Sequence, residues 1–480
     1  MKTVFMPKTH WLAYVFLRFA YPSYRGIRMK SRSIGCRGEG MTVLIEKLSA
    51  LVWGVPTLML FVGSGIFFSV CLRWVQVRGF RCAFGAICAD LKQQDSGEKG
   101  GLSATSALMA ALGAVMGPGN IIGVSSAILL GGAGAVFWMW ISAFLGMAAR
   151  YAESVLAVLH RQKGEQGHYG GPMYVMRDHG FRKTALVFSA AGVLISFTMA
   201  DALPAGALGS ALLESYRIPP LVTGAFLCVF CLFAVLGGGK RIAKISGFLV
   251  PVMSIFFIGA SVWIMLCYPN RLPGAFRAIF QEAFSLRSGF GGLVGGAIRY
   301  GMARGIYSNE AGMGTEPLLA AATSEPSPHR QGLISMTGPF LDTIVFCTFT
   351  ALIILMAGYQ PGDSPAMLVT QSFAYFLPGC GAFIVNATMT MLVLATLSSW
   401  AFYGEQCLSY LSGSPRLRQL YRWVYALLPL LCAGAKLRIV FAITDIATAF
   451  MAIPNLFTCI LLISEVKREN RKSFFVLNSR

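Results

Sequence analysis

The chain has 480 residues, of which 55% are hydrophobic and only 12% are charged, and its formal net charge is +20. Soluble domains carry roughly 25% charged residues, so this chain lacks the charge needed to cover a water-facing surface. That shortage excludes a soluble enzyme, a disordered scaffold and a nucleic-acid binder. One helical crossing takes about 20 apolar residues, and we therefore predict an all-α integral membrane protein.

The first forty residues carry eight basic side chains against one acidic residue, Glu39. Their apolar stretch, 11–20, is too short to cross a bilayer. A signal-like leader is one interpretation of this segment. We favour a basic N-terminal extension over 1–40 that is not part of the mature protein, followed by a membrane domain over 41–465 and a basic tail over 466–480.

Apolar runs separated by glycine, proline and charged residues predict about eleven transmembrane helices. The predicted spans are 50–72, 105–131, 134–158, 186–213, 220–237, 246–268, 290–306, 332–358, 380–411, 418–435 and 438–463. A shorter amphipathic stretch at 366–377 is expected to lie at the membrane interface rather than to cross.

Basic residues concentrate in every second connection between these spans. The connection over 73–99 carries five of them, whereas the next one, near Gly132, carries none, and the connections at 161–183 and 240–244 are again basic. Because basic connections stay on the cytoplasmic side, we predict a cell inner-membrane protein with its N-terminus outside and its C-terminus in the cytoplasm. A start at Met41 would spare the eight basic residues of the extension from translocation.

Glycine and proline interrupt two of the predicted spans. Residues 117–120 read Gly-Pro-Gly-Asn in the middle of the second span, and a glycine-rich run at 290–297 is followed by the polar string 304–314. Proline donates no backbone hydrogen bond and glycine weakens a helix, so we expect both helices to open inside the membrane. Close helix packing, as in Gly113-xxx-Gly117, is the alternative for individual glycines.

Without the first span, the other ten divide into five plus five, and each half begins with an interrupted segment. Matched interruptions in two halves indicate a transporter built from inverted repeats. We therefore predict an extra helix at about 50–72, repeat one at about 105–268 and repeat two at about 290–463. Opened helices offer N–H groups to a carboxylate and free carbonyl oxygens to Na⁺.

Several sequence strings resemble those of the alanine or glycine:cation symporters, over about 53–463. The matching strings lie at 119–121, 134–140, 146–153, 170–174, 303–314, 400–405 and 451–455. The resemblance implies a leucine-transporter-like fold with eleven spans, importing alanine or glycine with Na⁺ or sometimes H⁺.

Two positions depart from that family's pattern. The family usually has threonine where this chain has Pro118, so a hydroxyl is missing near the expected substrate. It has glutamine in the fourth span where this chain has Asp201, and a carboxylate there would attract an amino group or a cation, or carry a proton. A proton-coupled carrier of another amino acid or an amine, using Asp201, is the alternative to Na⁺-coupled import.

Candidate site residues come from the interruptions, from the resemblance and from ionisable residues within spans, which are functional candidates by default. The substrate-binding candidates are Gly117, Gly119, Asn120, Asp201, Tyr307, Ser308, Asn309 and Trp400. The candidate Na⁺ ligands are Asn120, Asp342 and Thr396, and the candidate gate pair is Arg304 with Glu310. Thr396 and Trp400 enter through their places in the family pattern, and for Asp342 an ion pair with Arg299 or Arg304 is the alternative.

The sequence contains no convincing catalytic or nucleotide-binding arrangement. The Gly237-Gly238-Gly239-Lys240 string lacks the spacing of a phosphate-binding loop, and the five histidines are too dispersed for a metal cluster. We predict no enzymatic activity, no cofactor beyond the coupling ion Na⁺ or H⁺, and no nucleic acid or obligate protein partner. The expected partners are a small-molecule substrate and the lipid bilayer, and a channel or a structural membrane protein remains the alternative class.

Overall fold

The computed structural model describes residues 52, 54–93, 102–164, 167–284, 295–360, 363–435 and 438–478. The predicted extension over 1–40 lies outside these residues, as does most of the glycine-rich run at 290–297. The described chain is helical apart from short connections and one small hairpin.

Among the described residues, three helices precede the first interrupted segment, namely α1 (Val55–Cys71), α2 (Val75–Arg78) and α3 (Phe80–Gln93). Proline in the first turn of α1 removes an N–H that no helical carbonyl would have bonded. The first helix lies inside the predicted span at 50–72, whereas the sequence patterns did not predict α3.

The next part of the chain contains seven longer helices and one short one. They are α4 (Ala104–Val115), α5 (Val124–Gly131), α6 (Ala135–Leu159), α7 (Pro172–Asp178), α8 (Arg182–Phe197), α9 (Leu203–Tyr216), α10 (Pro220–Leu236) and α11 (Gly238–Cys267). Two stretches of π-helix, Gly119–Gly123 and Thr198–Ala202, join α4 to α5 and α8 to α9. Strands β1 (Gln162–Gly164) and β2 (Gly167–Tyr169) form an antiparallel hairpin in which Lys163 pairs with His168.

The second half begins after a 3₁₀ turn at Pro269–Arg271, and its described residues form eleven further helices. They are α12 (Leu272–Ala283), α13 (Gly296–Asn309), α14 (Pro317–Ala320), α15 (Pro328–Ser335), α16 (Thr337–Pro339), α17 (Thr348–Ala357), α18 (Pro365–Phe376), α19 (Gly381–Leu411), α20 (Pro415–Cys432), α21 (Arg438–Leu461) and α22 (Ile463–Asn478). A third π-helix, Phe340–Cys347, joins α16 to α17.

Six helical stretches of the described residues are long and apolar enough to cross a membrane, or seven if the bent pair Ala104–Val115 and Gly119–Gly131 is one span. Helices α1 and α10 are apolar but shorter. The apolar helices make this a multi-pass membrane protein. The count of eleven spans remains a prediction.

Burial separates the helices that form the interior from those at the periphery. In α6, 83% of the most apolar window is buried, compared with 28% in Arg241–Cys267. Large apolar side chains such as Ile255 and Leu266 are more than two-thirds exposed, which is expected of a surface that faces lipid rather than water. Helix α6 therefore lies in the interior, whereas α11 lies at the periphery and contributes one face, including Met253 and Phe257, to the core.

Helix α13 packs directly on α6 through a stripe of small residues. A Cβ atom added at Gly301 would collide with the backbone oxygen of Ala135, and one at Gly305 would collide with the hydroxyl of Ser142. Small residues let membrane helices approach closely. This contact fixes the end of α13 beside the interior helix that carries Arg150.

Candidate functional site

The first interrupted segment is bent by 58° between α4 and Gly119–Gly131. Helix α4 ends at Val115, and Met116 has left the helical region with φ −69° and ψ 86°. A Cβ atom at Gly119 or Gly123 would meet no other atom within 4 Å, so the backbone borders free space there. The predicted opening at 117–120 is confirmed, and the packing alternative applies instead to Gly113, where a Cβ atom would lie 3.1 Å from Ser246 Oγ.

The second interruption lies at the C-terminal end of α13. The helix ends at Asn309, and Glu310 adopts a left-handed conformation with φ 50°. Gly312 and Gly314 have φ values of 91° and 80°, which favour glycine because it lacks a Cβ atom. The predicted break within 304–314 is therefore present, whereas Gly296 and Ala297 from the glycine-rich run are helical and the rest of that run lies mostly outside the described residues.

Asp342 is the centre of a buried set of polar side chains, which we call the Asn120–Asp342 cluster and which consists of Asn120, Ser308, Asp342 and Thr343. Asn120 Nδ2 donates to Asp342 Oδ1. The hydroxyls of Ser308 and Thr343 donate to Asp342 Oδ2 at 2.7 and 2.8 Å. All four side chains are at most 3% exposed.

The Asn120–Asp342 cluster joins three elements and retains an unused oxygen atom. Asn120 lies in the first π-helix, Ser308 at the end of α13 and Asp342 in the third π-helix, and π-helical turns are frequent at functional sites. Asn120 Oδ1 has no hydrogen-bond partner among the described residues. The carboxylate and this amide oxygen are the kind of ligands that a hard cation takes. The alternative pairing of Asp342 with Arg299 or Arg304 is wrong for the described residues, in which no such ion pair is formed.

Thr396 forms a second group of oxygen atoms at the same interruption. Its hydroxyl lies 3.2 Å from the carbonyl oxygen of Gly113 and 3.4 Å from that of Met116. Because α4 ends at Val115, carbonyls of its last turn lack helical donors. The neighbouring Ser398 differs, since its hydroxyl donates to Leu394 of its own helix at 2.6 Å. The Thr396 cluster, meaning this hydroxyl and the two carbonyls, is thus distinct from the Asn120–Asp342 cluster.

Trp400 is 1% exposed and lies in the same apolar cluster as Ala111 and Ala114 of α4. Its ring meets that of Tyr403 nearly at right angles, with centroids 5.3 Å apart. Neither Trp400 Nε1 nor Tyr403 Oη has a hydrogen-bond partner among the described residues. Buried donors of this kind normally find partners, so both are available to an acceptor that enters between the helices.

Asp201 is buried in a different π-helix from Asn120 and Asp342. It belongs to the second π-helix, which packs on α8, α9, α19, α20 and α21. Cys231 of α10 and Tyr425 of α20 are within electrostatic range of its carboxyl group. The side chain is fully buried, and neither carboxyl oxygen has a hydrogen-bond partner among the described residues. No hydrogen bond joins Asp201 to the Asn120–Asp342 cluster.

The candidate gate residues do not pair with each other. Glu310 is 1% exposed and accepts a hydrogen bond from the Thr315 hydroxyl at 2.9 Å. The predicted pairing of Arg304 with Glu310 is absent from the ion pairs that the described residues form. Arg304 and Glu310 both lie within electrostatic range of Tyr307, but Arg304 belongs to the helical part of α13 and Glu310 follows the break.

A buried polar network beside the second interruption was not predicted from the sequence. Arg150 Nη2 of α6 donates to the carbonyl oxygen of Asn309, where a cation also opposes the negative end of α13. Glu316, just beyond the break, accepts hydrogen bonds from Ser154 and Ser335. The sequence did contain a signal for this network, because Arg150 is an ionisable residue within the predicted span 134–158, and such residues are functional candidates.

Asn455 of α21 connects the same network to the opposite side of the break. Its Nδ2 atom donates to Glu153 Oε1 and, at 3.0 Å, to the carbonyl oxygen of Gly312. Glu153 is 2% exposed and lies one turn of α6 beyond Arg150. The network therefore fixes both ends of the non-helical segment that follows α13.

The architecture is the leucine-transporter-like fold. The structure is similar to the crystal structure of MhsT in complex with L-phenylalanine, with a TM-score of 0.52 and 14% sequence identity over 76% of this chain and 90% of that one. A structure of the Eremococcus coleocola manganese transporter gives a TM-score of 0.50 at 14% identity, covering 75% of this chain and 78% of the other. These similarities establish the fold.

The sequence relatives establish the family. The sodium:alanine symporter family profile matches residues 38–475, and the chain belongs to this family. It is 39% identical to the sodium/alanine symporter AgcS of Methanococcus maripaludis, over 89% of this chain and 96% of the relative. It is also 32% identical to the probable sodium/glutamine symporter GlnT of Bacillus subtilis, over 86% of each.

Proposed function

We propose that the protein is a secondary active symporter that imports a small neutral amino acid, alanine or glycine, together with Na⁺. The observation that carries this proposal is the Asn120–Asp342 cluster, in which a buried carboxylate and an unpaired amide oxygen meet at an opened membrane helix. Relatives named for alanine and for glutamine leave open which neutral amino acid the chain takes. Membership of the family supports the coupling ion.

Two sets of oxygen atoms serve as Na⁺ ligands in this proposal. The Asn120–Asp342 cluster offers a carboxylate and an amide oxygen, and the Thr396 cluster offers a hydroxyl and two carbonyls. Hard cations prefer such ligands, and neutral oxygens suffice for a monovalent ion. Both sets involve the first interrupted segment, so an ion in either would influence the conformation of the same helix.

The substrate binds between the two interruptions in this proposal. Its carboxylate meets the backbone around Gly117 and Gly119, where the second half-helix begins and its positive end points inward. Its amino group meets the end of α13, where Tyr307, Ser308 and Asn309 lie. Trp400 closes the space above a small side chain. The free space beside Gly119 supports this arrangement.

In this proposal, Na⁺ binding is coupled to amino-acid binding because the two ligands favour the same conformation of the protein. Asn309 and Glu310 are 1% exposed and Trp400 is equally buried, so the end of α13 and the Trp400 side chain are shielded from solvent in the described conformation. A ligand shifts a conformational equilibrium only when it binds one state more tightly. Ion binding that orders the opened segment would thus raise the affinity for the amino acid. Arg304 and Glu310 then act at the gate separately rather than as an ion pair.

The proposal includes eleven spans arranged as an extra helix and two inverted repeats of five. It also includes an inner-membrane location with the N-terminus outside and the C-terminus in the cytoplasm. The distribution of basic connections supports this orientation, and the breaks after Val115 and after Asn309 support the repeat. No protein partner is required for such a carrier.

A proton-coupled carrier is the second candidate, and Asp201 supports it. An unpaired carboxylate in an apolar interior is costly, whereas the neutral acid is tolerated there. The full burial of Asp201 and the lack of partners among the described residues for both its oxygens fit a site that exchanges a proton during transport.

Uptake into proteoliposomes tests the two candidates. Labelled alanine, glycine and glutamine are offered with an inward Na⁺ gradient, an inward H⁺ gradient or neither. We expect concentrative uptake of alanine or glycine with the Na⁺ gradient alone. Concentrative uptake with H⁺ alone would replace the first candidate by the second, and absence of uptake with either gradient would contradict both.

A matched pair of asparagine variants ties that uptake to the site. Asn120→Ala removes the unpaired oxygen, so we expect loss of Na⁺-driven uptake. Asn386→Ala is the control. Asn386 is likewise buried, with 2% of its surface exposed, and it donates a hydrogen bond to Ser215 at 3.0 Å, but it lies outside both clusters. Equal loss in the two variants would indicate a general structural effect instead of a role in ion binding.

A further inference from the structure

A group of three metal-ligating side chains lies outside the transport site, where α6 ends. His160 Nε2 is 3.1 Å from one oxygen of the Glu465 carboxylate, and His179 Nε2 is 3.0 Å from the other. The three ligand atoms lie within 4.8 Å of one another. The prediction that the histidines are too dispersed for a metal cluster is therefore wrong for this pair. His160 follows α6 and His179 follows α7, and the first turn of α22 packs against both.

The two imidazole rings are already oriented for this role. His179 Nδ1 lies 2.9 Å from the carbonyl oxygen of Val175, which accepts the Nδ1 proton, so Nε2 is the nitrogen left to ligate a metal ion once it gives up the proton that it donates to Glu465. His160 Nδ1 lies 3.4 Å from Asp178 Oδ2. Metal-binding histidines commonly donate their second N–H to a backbone carbonyl or a carboxylate in this way.

The surroundings suit an ion that enters from solvent. The three side chains are 19, 23 and 24% exposed, so the cluster is reachable but partly shielded. Arg177 donates to the other oxygen of Asp178, Oδ1. That contact leaves the carboxylate of Glu465 to the two histidines.

We propose that His160, His179 and Glu465 bind one divalent transition-metal ion of the Zn²⁺ type. Two imidazoles and one carboxylate form a donor set that Zn²⁺ takes, with the fourth position left to water. Tetrahedral Zn²⁺ holds nitrogen and oxygen ligands at about 2.0–2.2 Å, so the ligand atoms close in slightly around the ion. Mg²⁺ and Ca²⁺ prefer all-oxygen sites and are not expected to compete.

The ion would connect parts of the chain that are remote in sequence. His160 follows the interior helix α6, His179 follows α7, and Glu465 lies in the first turn of α22. Metal binding would therefore clamp the terminal helix to the connection between α6 and α8. This site is independent of the proposed amino-acid transport.

Zinc binding to the purified full-length chain tests the proposal. The protein, with any purification tag removed, is stripped with a chelator and titrated with ZnCl₂ against a chromogenic zinc indicator. We expect one ion per chain, unaffected by excess MgCl₂. His160→Gln, His179→Gln and Glu465→Gln should each weaken binding at least about tenfold, since even residues outside the ligand set change metal affinity by about 10–100-fold.

Two control variants keep the result specific. His168→Gln removes a comparable histidine from strand β2, whose pKa is lowered by burial and then by Arg161 and Lys163, so it is uncharged at neutral pH. Glu469→Gln removes another carboxylate of α22. We expect both to bind zinc as the unaltered chain does. Absence of stoichiometric zinc binding, or affinity that is unchanged in the three ligand variants, would overturn the proposal.

If a ligand variant aggregates, a measurement on the unaltered chain tests the site instead. Cobalt substituted for zinc should give the visible absorption of a tetrahedral site with nitrogen and oxygen ligands, and zinc should abolish it. A cobalt spectrum of the octahedral aqua type would contradict the site.

Discussion

Two aspartates, Asp342 and Asp201, are equally buried in this protein, yet their surroundings differ completely. Both side chains are fully inaccessible to solvent. Asp342 accepts hydrogen bonds from Asn120, Ser308 and Thr343, whereas Asp201 has no hydrogen-bond partner among the described residues. Burial alone therefore does not define what a membrane carboxylate does.

The surroundings of the two aspartates differ in how well they stabilise a negatively charged carboxylate. Three donors stabilise a carboxylate in the interior, since hydrogen bonds to a charged group contribute about 1.5–3 kcal/mol. A carboxylate with no donor has no such compensation. Asp342 is thus suited to hold a cation, and Asp201 is suited to hold a proton or to remain neutral.

The largest expected effect comes from Asp342→Asn. The change removes the one charge of the Asn120–Asp342 cluster while keeping its shape, so we expect Na⁺-driven alanine uptake to fall at least about 100-fold, equivalent to about 2.8 kcal/mol. Initial uptake rates across a range of Na⁺ concentrations provide the measurement. An unaltered dependence on Na⁺ would remove Asp342 from the ion site.

The second prediction asks whether the Thr396 cluster also binds the ion. We expect Thr396→Ala to raise the Na⁺ concentration for half-maximal uptake about tenfold, or about 1.4 kcal/mol, because it deletes one oxygen ligand. Ser398→Ala is the control on the same helix, since its hydroxyl bonds only to its own helix at 2.6 Å. A similar shift in both variants would point to a packing defect in α19.

A smaller effect is expected when Asp342 loses a single donor. In Ser308→Ala the carboxylate keeps Asn120 and Thr343, so we expect Na⁺ affinity to change about threefold to tenfold, matching roughly 1 kcal/mol for one hydrogen bond. Equilibrium binding of ²²Na⁺ to the purified protein measures this. A loss as complete as that in Asp342→Asn would make Ser308 a direct ligand.

The smallest effect is expected for Asp201→Asn. If Asp201 lies outside the ion and substrate sites, Na⁺-driven uptake of alanine should change by less than about threefold, because a neutral side chain of the same shape replaces it. The same variant assayed with an inward H⁺ gradient separates the candidates. Collapse of H⁺-driven uptake in a protein that folds normally would assign Asp201 the proton.

The sequence predicted many of the helices and the opening at 117–120. The predicted span 380–411 corresponds to α19, which begins at Gly381. Asn120 and Asp342 were proposed separately from oxygen chemistry, and the fold joins them across 222 positions. Composition and charge were informative here because lipid penalises every polar residue that has no function or partner.

The position of Asp201 could not be predicted in the same way. A π-helix over Thr198–Ala202 interrupts the regular periodicity of its helix. Side-chain direction along the span therefore departs from the α-helical pattern, and Asp201 is buried within electrostatic range of Cys231 in α10 and Tyr425 in α20. The contact of His160 and His179 with Glu465 was equally hidden, because it depends on how the terminal helix packs.

The bend in the first interrupted segment has a mechanical consequence. Residues Met116–Pro118 separate α4 from the helix that begins at Gly119, so no continuous ladder of backbone hydrogen bonds resists tilting of one piece against the other. Such positions act as hinges, at which a few dihedral angles absorb a large displacement. A pathway on one side of the bilayer could therefore widen while the opposite half-helix stays anchored in its packing.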